Sequence, residues 1–371
     1  MMTAMSCLIV SNLYYYNDAD ADDNIRSYET DAVSNIDPDD YQVIGYDLKT
    51  HSRIDTSELN QRIRQKIIEN QNKTAMFTAG SDDELLANDY NMSSRSIIDD
   101  DNRTRAGINN TGMYSFVYIK AITNKNGFAQ KTCSGTLIAK NMVLTAAHCI
   151  SNIDGNHLST DYADYVTVYP GRSDGETPVG YYEVERLYPL KGWENSANGN
   201  YKHDMALLKI AKDSHGNYPT DNGAPIIGYG YWNIEFGAMR VSSYSYQTDK
   251  ADNDDADDVL YKMNGRIRTL AKHYDAFNDH YVNNEGNQVD YQHNLMHSLD
   301  TTEATSGAGV LWWYDYGYKI IGVVSQECPA SNNGNDKCSD TSGNKTLNTA
   351  TRFTESSYLS FKETIDNEKD K

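Results

Sequence analysis

Two short stretches of this chain hold residue types able to break an acyl bond. The first, LDTTEATSGAG, runs from Leu299 to Gly309 and sets Ser306 before Gly307 among small residues. Many hydrolases present a nucleophile in this way. A serine hydroxyl is weak at its own pKa and needs a base beside it. The second stretch, CSGTLIAKNMVLTAAHC, runs from Cys133 to Cys149 and offers that base in His148. Small residues before the histidine let its ring sit in a tight cleft at a strand end. Cys133 stands a hairpin's length upstream, and a disulfide to Cys149 holds that strand end against its neighbour.

The block from Cys133 to Cys149 resembles the histidine motif of the chymotrypsin-fold serine peptidases. That family places an aspartate next and a serine last in chain order. KHDMALLKI supplies Asp204 just before an apolar strand, similar to the family's Asp-x-Ala-Leu-Leu pattern. The resemblance implies a buried carboxylate there, which accepts the second imidazole N–H, fixes the tautomer and stabilises the imidazolium. Ser306 follows as nucleophile, with His148 as general base and then acid. In IIGVVSQ, Ser325 matches the serine that commonly hydrogen-bonds the catalytic aspartate, although a plain strand serine reads the same way.

The likeness narrows toward the bacterial glutamyl endopeptidases, extracellular enzymes made with a propeptide. SIIDDDNRTRAGINNTGMYSFVYI (96–119) is similar to the start of their mature chain, and LDTTEATSG to their Thr-Thr-x-x-x-Ser-Gly arrangement. This implies two six-stranded β-barrels with the triad between them, and removal of a leader by cleavage after Arg95. It also implies protein or peptide substrates and no cofactor or metal. Thr305 stands where chymotrypsin has an aspartate that pairs with the new N-terminal amine. That salt bridge cannot form here, so activation must work differently.

Other positions depart from the pattern. The oxyanion hole is expected from the backbone N–H groups of Ser306 and Ala304, where the latter position is normally glycine. A left-handed backbone there would cost the alanine about 1–2 kcal/mol. In the primary pocket Asp300 is expected at the floor, and its carboxylate attracts a substrate Arg or Lys. Thr301 matches the pocket threonine of the glutamyl enzymes, but Val324 stands where those enzymes use a histidine. Glu327 on the wall strand adds negative charge. The expected preference is therefore for a basic residue before the scissile bond, with Glu specificity as the alternative. A catalytically silent homologue that uses the cleft for binding is the rival to an enzyme.

The elements that must position these residues are short and β-rich. MYSFVYIKAI, GTLIAKNMVLTAA, DYVTVYP, YYEVERLYPL, MALLKIA, MRVSSYSY, VLYKMNGRI and YKIIGVVSQ are separated by Gly, Asn, Asp and Pro. Many such strands indicate an all-β barrel or sandwich. TESSYLSFKETIDNEK predicts a C-terminal helix over 354–369 capped by Thr354. The polar stretch near 270–293 reads as an insertion. DKADNDDADD (249–258) lacks the calcium-loop glycine and terminal Glu and reads as a solvated loop. Residues 1–95 read as an acidic leader without its own core, with one amphipathic helix carrying Leu59, Ile63, Ile67 and Ile68.

A formal charge of −20 over 371 residues disfavours nucleic acid and anionic membranes as partners. No run reaches the length of a membrane-spanning helix. The five cysteines, Cys7, Cys133, Cys149, Cys328 and Cys338, include no CxxC pair and so point away from zinc. Two close pairs and one leftover fit two disulfides, Cys133–Cys149 and Cys328–Cys338, in an exported monomer. Five unrelated thiols in a cytosolic protein is the other reading. The N-terminus carries no Lys or Arg before its short apolar stretch, so it is a poor signal peptide as written.

Overall fold

The β-rich runs do form strands, and their order along the chain builds two barrels. The computed structural model describes residues 37–70, 75–77, 103–107, 110–125, 127–153, 158–195, 201–232, 239–247, 258–267, 274–275, 280–282, 288–290, 294–314, 317–327 and 348–369. All of these belong to one unit, Ser34–Lys371. Arg95, Cys7, Cys328, Cys338 and residues 249–257 lie outside the described residues.

The first elements are β1 (Gly45–Asp47), β2 (Ser52–Ile54), α1 (Ser57–Glu69), β3 (Ala75–Phe77) and β4 (Thr104–Arg105). Next come β5 (Phe116–Thr123), β6 (Ala129–Ala139), β7 (Met142–Thr145), β8 (Tyr165–Pro170), β9 (Tyr182–Pro189) and β10 (Ala206–Ile210). These six strands close on themselves in the order β5–β6–β7–β10–β9–β8. Val117, Ile119, Leu137, Val143, Val168, Leu187 and Leu208 share the inward face and are fully buried. The alternating exposed and buried residues of β8 are what a strand with one face on a core requires.

The second half contains β11 (Gly228–Trp232), β12 (Arg240–Tyr246), β13 (Leu260–Arg266), β14 (Tyr274–Asp275), β15 (His280–Val282) and β16 (Gln288–Asp290). β17 (Asn294–His297), β18 (Gly309–Tyr314), β19 (Gly317–Glu327), β20 (Asn348–Arg352) and α2 (Glu355–Glu368) complete it. Six strands run in the order β17–β20–β19–β18–β12–β13, and the Ile267–His297 bridge joins the two ends. Their core is Val241, Met263, Leu295, Val310, Ile321, Val324 and Ala350. Between 270 and 293, β14, β15 and β16 pair into a small antiparallel sheet of their own. Where the barrels meet, Phe116 stacks on Tyr244 at 4.4 Å between ring centroids, and Tyr118 packs edge-on against Tyr246 at 5.2 Å. The expected all-β two-barrel architecture is thus borne out.

The C-terminal helix starts where its cap predicts: the Thr354 side chain accepts from Ser357 N–H. Its far end is tied to the first barrel by Glu368, which lies 2.8 Å from Lys209 Nζ and 2.9 Å from Arg186 Nη1. α1 packs against α2, burying Leu59, Ile63 and Ile67, while Ile68 is left 53% exposed. The difference is geometric: a four-residue spacing keeps 59, 63 and 67 on one stripe, and Ile68 turns about 100° away from it. Before α1, the chain from Gln42 to Leu48 runs antiparallel to β9. Lys191 N–H donates to Gln42 O, Ile44 N–H to Pro189 O and Leu48 N–H to Glu185 O. Residues 42–54 therefore extend the first sheet, while α1 packs on the C-terminal helix. No helix among the described residues is long and apolar enough to cross a membrane.

Candidate active site

β7 delivers the histidine. It ends at Thr145, Ala146 is extended, and a 3-10 turn covers Ala147–Cys149. Ala146 and Ala147 are fully buried, while the His148 side chain is 13% exposed. Cys149 is bonded to Cys133 on β6 with their Cα atoms 6.0 Å apart, within the ordinary range for a disulfide. The bond fastens the histidine turn to the neighbouring strand. Cys133, His148 and Cys149 bring two sulfurs and an imidazole nitrogen within 4.8 Å of one another. Both sulfurs are spent in the disulfide, so this set has no thiolate to offer a metal.

Strand register brings the aspartate alongside. β10 pairs with β7 so that Ala206 opposes Thr145. Asp204, two residues before Ala206, consequently stands beside the histidine turn that follows Thr145. Its carboxylate is wholly buried and accepts three hydrogen bonds. His148 N–H donates to Oδ1 at 2.8 Å, His148 Nδ1 lies 2.6 Å from Oδ2, and the Ser325 hydroxyl donates to Oδ2 at 2.5 Å. Burial works to raise the Asp204 pKa, but the His148 charge and these hydrogen bonds outweigh it and hold the carboxyl below the usual range. The carboxylate is thus ionised at neutral pH, and the Nδ1 proton is directed at it.

The serine arrives on a separate loop. A 3-10 turn over Glu303–Thr305 precedes it, with Thr305 N–H donating to Thr302 O and Thr302 N–H to Thr305 Oγ1. Gly307 follows with φ of +89°, and a Cβ there would come within 2.2 Å of both Ser134 O and Thr145 Oγ1. Only glycine fits, on both conformation and space. Gly307 N–H donates to Val324 O and Val324 N–H to Ala308 O, which ties the loop to β19. Cys149 Sγ lies 3.6 Å from the Ser306 carbonyl and 3.9 Å from His148 Nε2, so the serine and histidine turns are neighbours.

Ala304 is fully buried and is not among the described non-glycine residues with positive φ. In this conformation its methyl carries none of the strain that a left-handed backbone would impose. Ser134, within the cysteine-histidine block but not singled out there, is a missing piece. Its hydroxyl donates to Ala304 O and its N–H to Ser306 O, both at 2.8 Å, while Tyr246 N–H donates to its Oγ. One buried serine of β6 thereby holds the Ala304 and Ser306 carbonyls of this loop and touches the second barrel. Its position right after Cys133 was the available signal.

Of the expected pocket residues, Asp300 and Thr301 precede the serine turn, and Val324, Ser325 and Glu327 lie on β19. Asp300 and Thr301 are half-buried, and Thr301 Oγ1 is buried without a hydrogen-bond partner. Asn348 at the start of β20 donates to Leu299 O at 2.9 Å, bracing the same segment. The Val324 side chain belongs to the second barrel's core, and Ser325 points to Asp204. Glu327 ends β19 opposite Asn348.

Comparison with known proteins agrees with this architecture. A 162-residue stretch is 32% identical to the extracellular metalloprotease of Bacillus subtilis (strain 168), covering 42% of this chain and 49% of that protein. A 132-residue stretch is 29% identical to the venom peptide isomerase heavy chain of Agelenopsis aperta, covering 32% of this chain and 51% of that one. The chain spans about half the length of these two curated relatives. The solved structure of a Glu endopeptidase in complex with MPD superposes with a TM-score of 0.50 at 21% identity, covering 74% of this chain and 100% of that one, and so shares the fold. The trypsin family profile matches residues 106–325, more than half of the chain. With that match, this chain belongs to the trypsin family.

Proposed function

We propose that the protein is a serine endopeptidase that cleaves peptide bonds through an acyl-enzyme. Ser306 is the nucleophile, His148 the general base and then acid, and Asp204 the group that orients and charges the imidazole. The backbone N–H groups of Ser306 and Ala304 serve the tetrahedral intermediate. The observation that carries this reading is the buried Asp204 carboxylate, which fixes both the backbone and the ring of His148. A carboxylate that deep is stable only with such partners, and here the partner is the base the reaction needs. Substituting Ser306→Ala is expected to abolish hydrolysis of a protein substrate such as casein. Residual activity equal to wild type would overturn the assignment.

The proposed substrate carries Arg or Lys before the scissile bond, attracted by Asp300. Thr301, with its buried and unpartnered hydroxyl, favours a second reading in which a substrate carboxylate is bound. Chromogenic peptides ending in Arg, Lys, Glu and Phe separate the two: activity confined to Glu sinks the first. The precursor is proposed to be cut after Arg95, and the protein to act outside the cell, where the Cys133–Cys149 disulfide is stable.

A further inference from the structure

In a trypsin-like enzyme whose residue before the nucleophile is Thr305, something other than a new amine must hold the nucleophile turn. The neighbourhood of Thr302 supplies a candidate. The Thr302 hydroxyl donates to Gln247 Oε1 at 3.2 Å, and Arg103 Nη1 donates to the same oxygen at 2.7 Å. Gln247 is fully buried at the end of β12, and its amide N–H groups are directed to Ser245 Oγ at 2.9 Å and Met263 Sδ at 3.1 Å. These contacts set the amide orientation, because a flipped side chain would turn its NH2 toward the guanidinium. Arg103 is itself anchored: the next residues form β4, which pairs with β13, and Ala106 N–H donates to Leu260 O.

We propose that Arg103 and Gln247 are positioning residues for the nucleophile, acting through Thr302. The guanidinium polarises and fixes the Gln247 carbonyl. That carbonyl fixes the Thr302 side chain, and Thr302 exchanges two hydrogen bonds with Thr305, the residue before Ser306. A charged donor on a buried amide oxygen is stronger than a neutral one, which suits a chain that must hold a turn still. Arg103 is the eighth residue of the chain left by a cut after Arg95. The relay therefore links the start of the proposed mature enzyme to its nucleophile without an ammonium–carboxylate pair. This rests on the peptidase reading above.

The test uses the full chain with Arg103→Ala, Arg103→Lys and Thr302→Val. Misplacing a reacting group from a distance costs up to about a hundred-fold in rate. Arg103→Ala and Thr302→Val are each expected to lower kcat by about ten- to a hundred-fold with KM little changed. Arg103→Lys restores most of the loss, because its ammonium also donates to Gln247 Oε1. The Arg103→Ala and Thr302→Val pair together is expected to be no worse than either alone, as one chain is broken only once. Losses that add, or a kcat within twofold of wild type, overturn the relay. Hydrogen exchange of the Thr305 amide gives a readout independent of turnover: it speeds up in Arg103→Ala if the relay holds the turn, and is unchanged if it does not. A wild type without peptidase activity but with this exchange response would count against the function and not against the relay.

Discussion

Replacing Asp204 by Asn probes the active-site chemistry with the smallest change of shape. Three donors converge on the native carboxylate: the His148 N–H, the His148 Nδ1–H and the Ser325 hydroxyl. Asparagine offers a single acceptor atom in the same space. The backbone N–H of His148 cannot become an acceptor, so it claims that oxygen at the Oδ1 position. The NH2 must then face Nδ1 and Ser325 Oγ. The hydroxyl can rotate to accept, but the ring can comply only by moving its proton from Nδ1 to Nε2. An Nε2 that carries a proton cannot take one from Ser306. The expected loss is about 10⁴ in kcat at neutral pH, or about 5 kcal/mol of transition-state stabilisation. Because the side chains are isosteric and the site is buried, far-ultraviolet circular dichroism should stay unchanged. The assay is kcat on a peptide substrate beside nitrogen-15 NMR of the labelled imidazole, which reports where the ring proton resides. A folded variant with kcat within tenfold of wild type, or with Nδ1 still protonated, would refute the tautomer argument.

Three further outcomes follow from other parts of the molecule. Ala304→Gly is expected to change kcat by less than about fivefold, since backbone freedom is worth roughly 0.5–1 kcal/mol and the alanine is unstrained; a larger gain on a chromogenic peptide would show that its methyl obstructs the oxyanion hole. His297 is wholly buried, with a pKa lowered by burial to about 4, and accepts from Leu299 N–H at Nδ1. Its folded pKa lies below the unfolded value of about 6.5, so its contribution is complete above pH 6.5 and fades as pH falls toward 4. Between pH 7 and 5, urea unfolding of wild type should lose about 2 kcal/mol more than His297→Gln; equal slopes would contradict this. Finally, a chain cut between Arg95 and Ser96 through an inserted protease site should keep residues 42–69 bound. Val43, Leu59, Ile63 and Ile67 are buried, worth about 6–12 kcal/mol together, and the β9 edge would otherwise be bare. Native mass spectrometry showing the fragment released would refute it.

The parts of the site that were legible in the sequence are those carried by contiguous residues. The cysteine-histidine block, KHDMALLKI and the Ser-Gly step each hold their signal within one loop or strand, and the structure brings them to one place. Ser325 was legible through its strand, and it donates to Asp204 as the resemblance implied. Ser134 was not, because its partners Ala304 and Ser306 lie some 170 residues away and are reached through backbone carbonyls, which carry no residue-type signature. Gln247 was not legible for a different reason: its partners Arg103 and Thr302 are ordinary polar side chains 144 and 55 residues away, brought to it only by the finished fold. Helix α1 was legible from its periodicity, but its partner was not: nothing in SELNQRIRQKIIENQ names the C-terminal helix or the edge of β9. Long-range pairing of this kind depends on which edge the rest of the fold leaves open. The closing bridge between Ile267 and His297 is likewise a property of the finished barrel.

Covalent labelling reads out whether Ser306 is a nucleophile activated by His148. The protein, both intact and cut after Arg95, is treated with a fluorophosphonate and its peptides are mapped by mass spectrometry. One adduct is expected, on Ser306, formed at a rate that drops about a hundred-fold or more in His148→Ala. An unlabelled Ser306, or one labelled equally fast without the histidine, would contradict it.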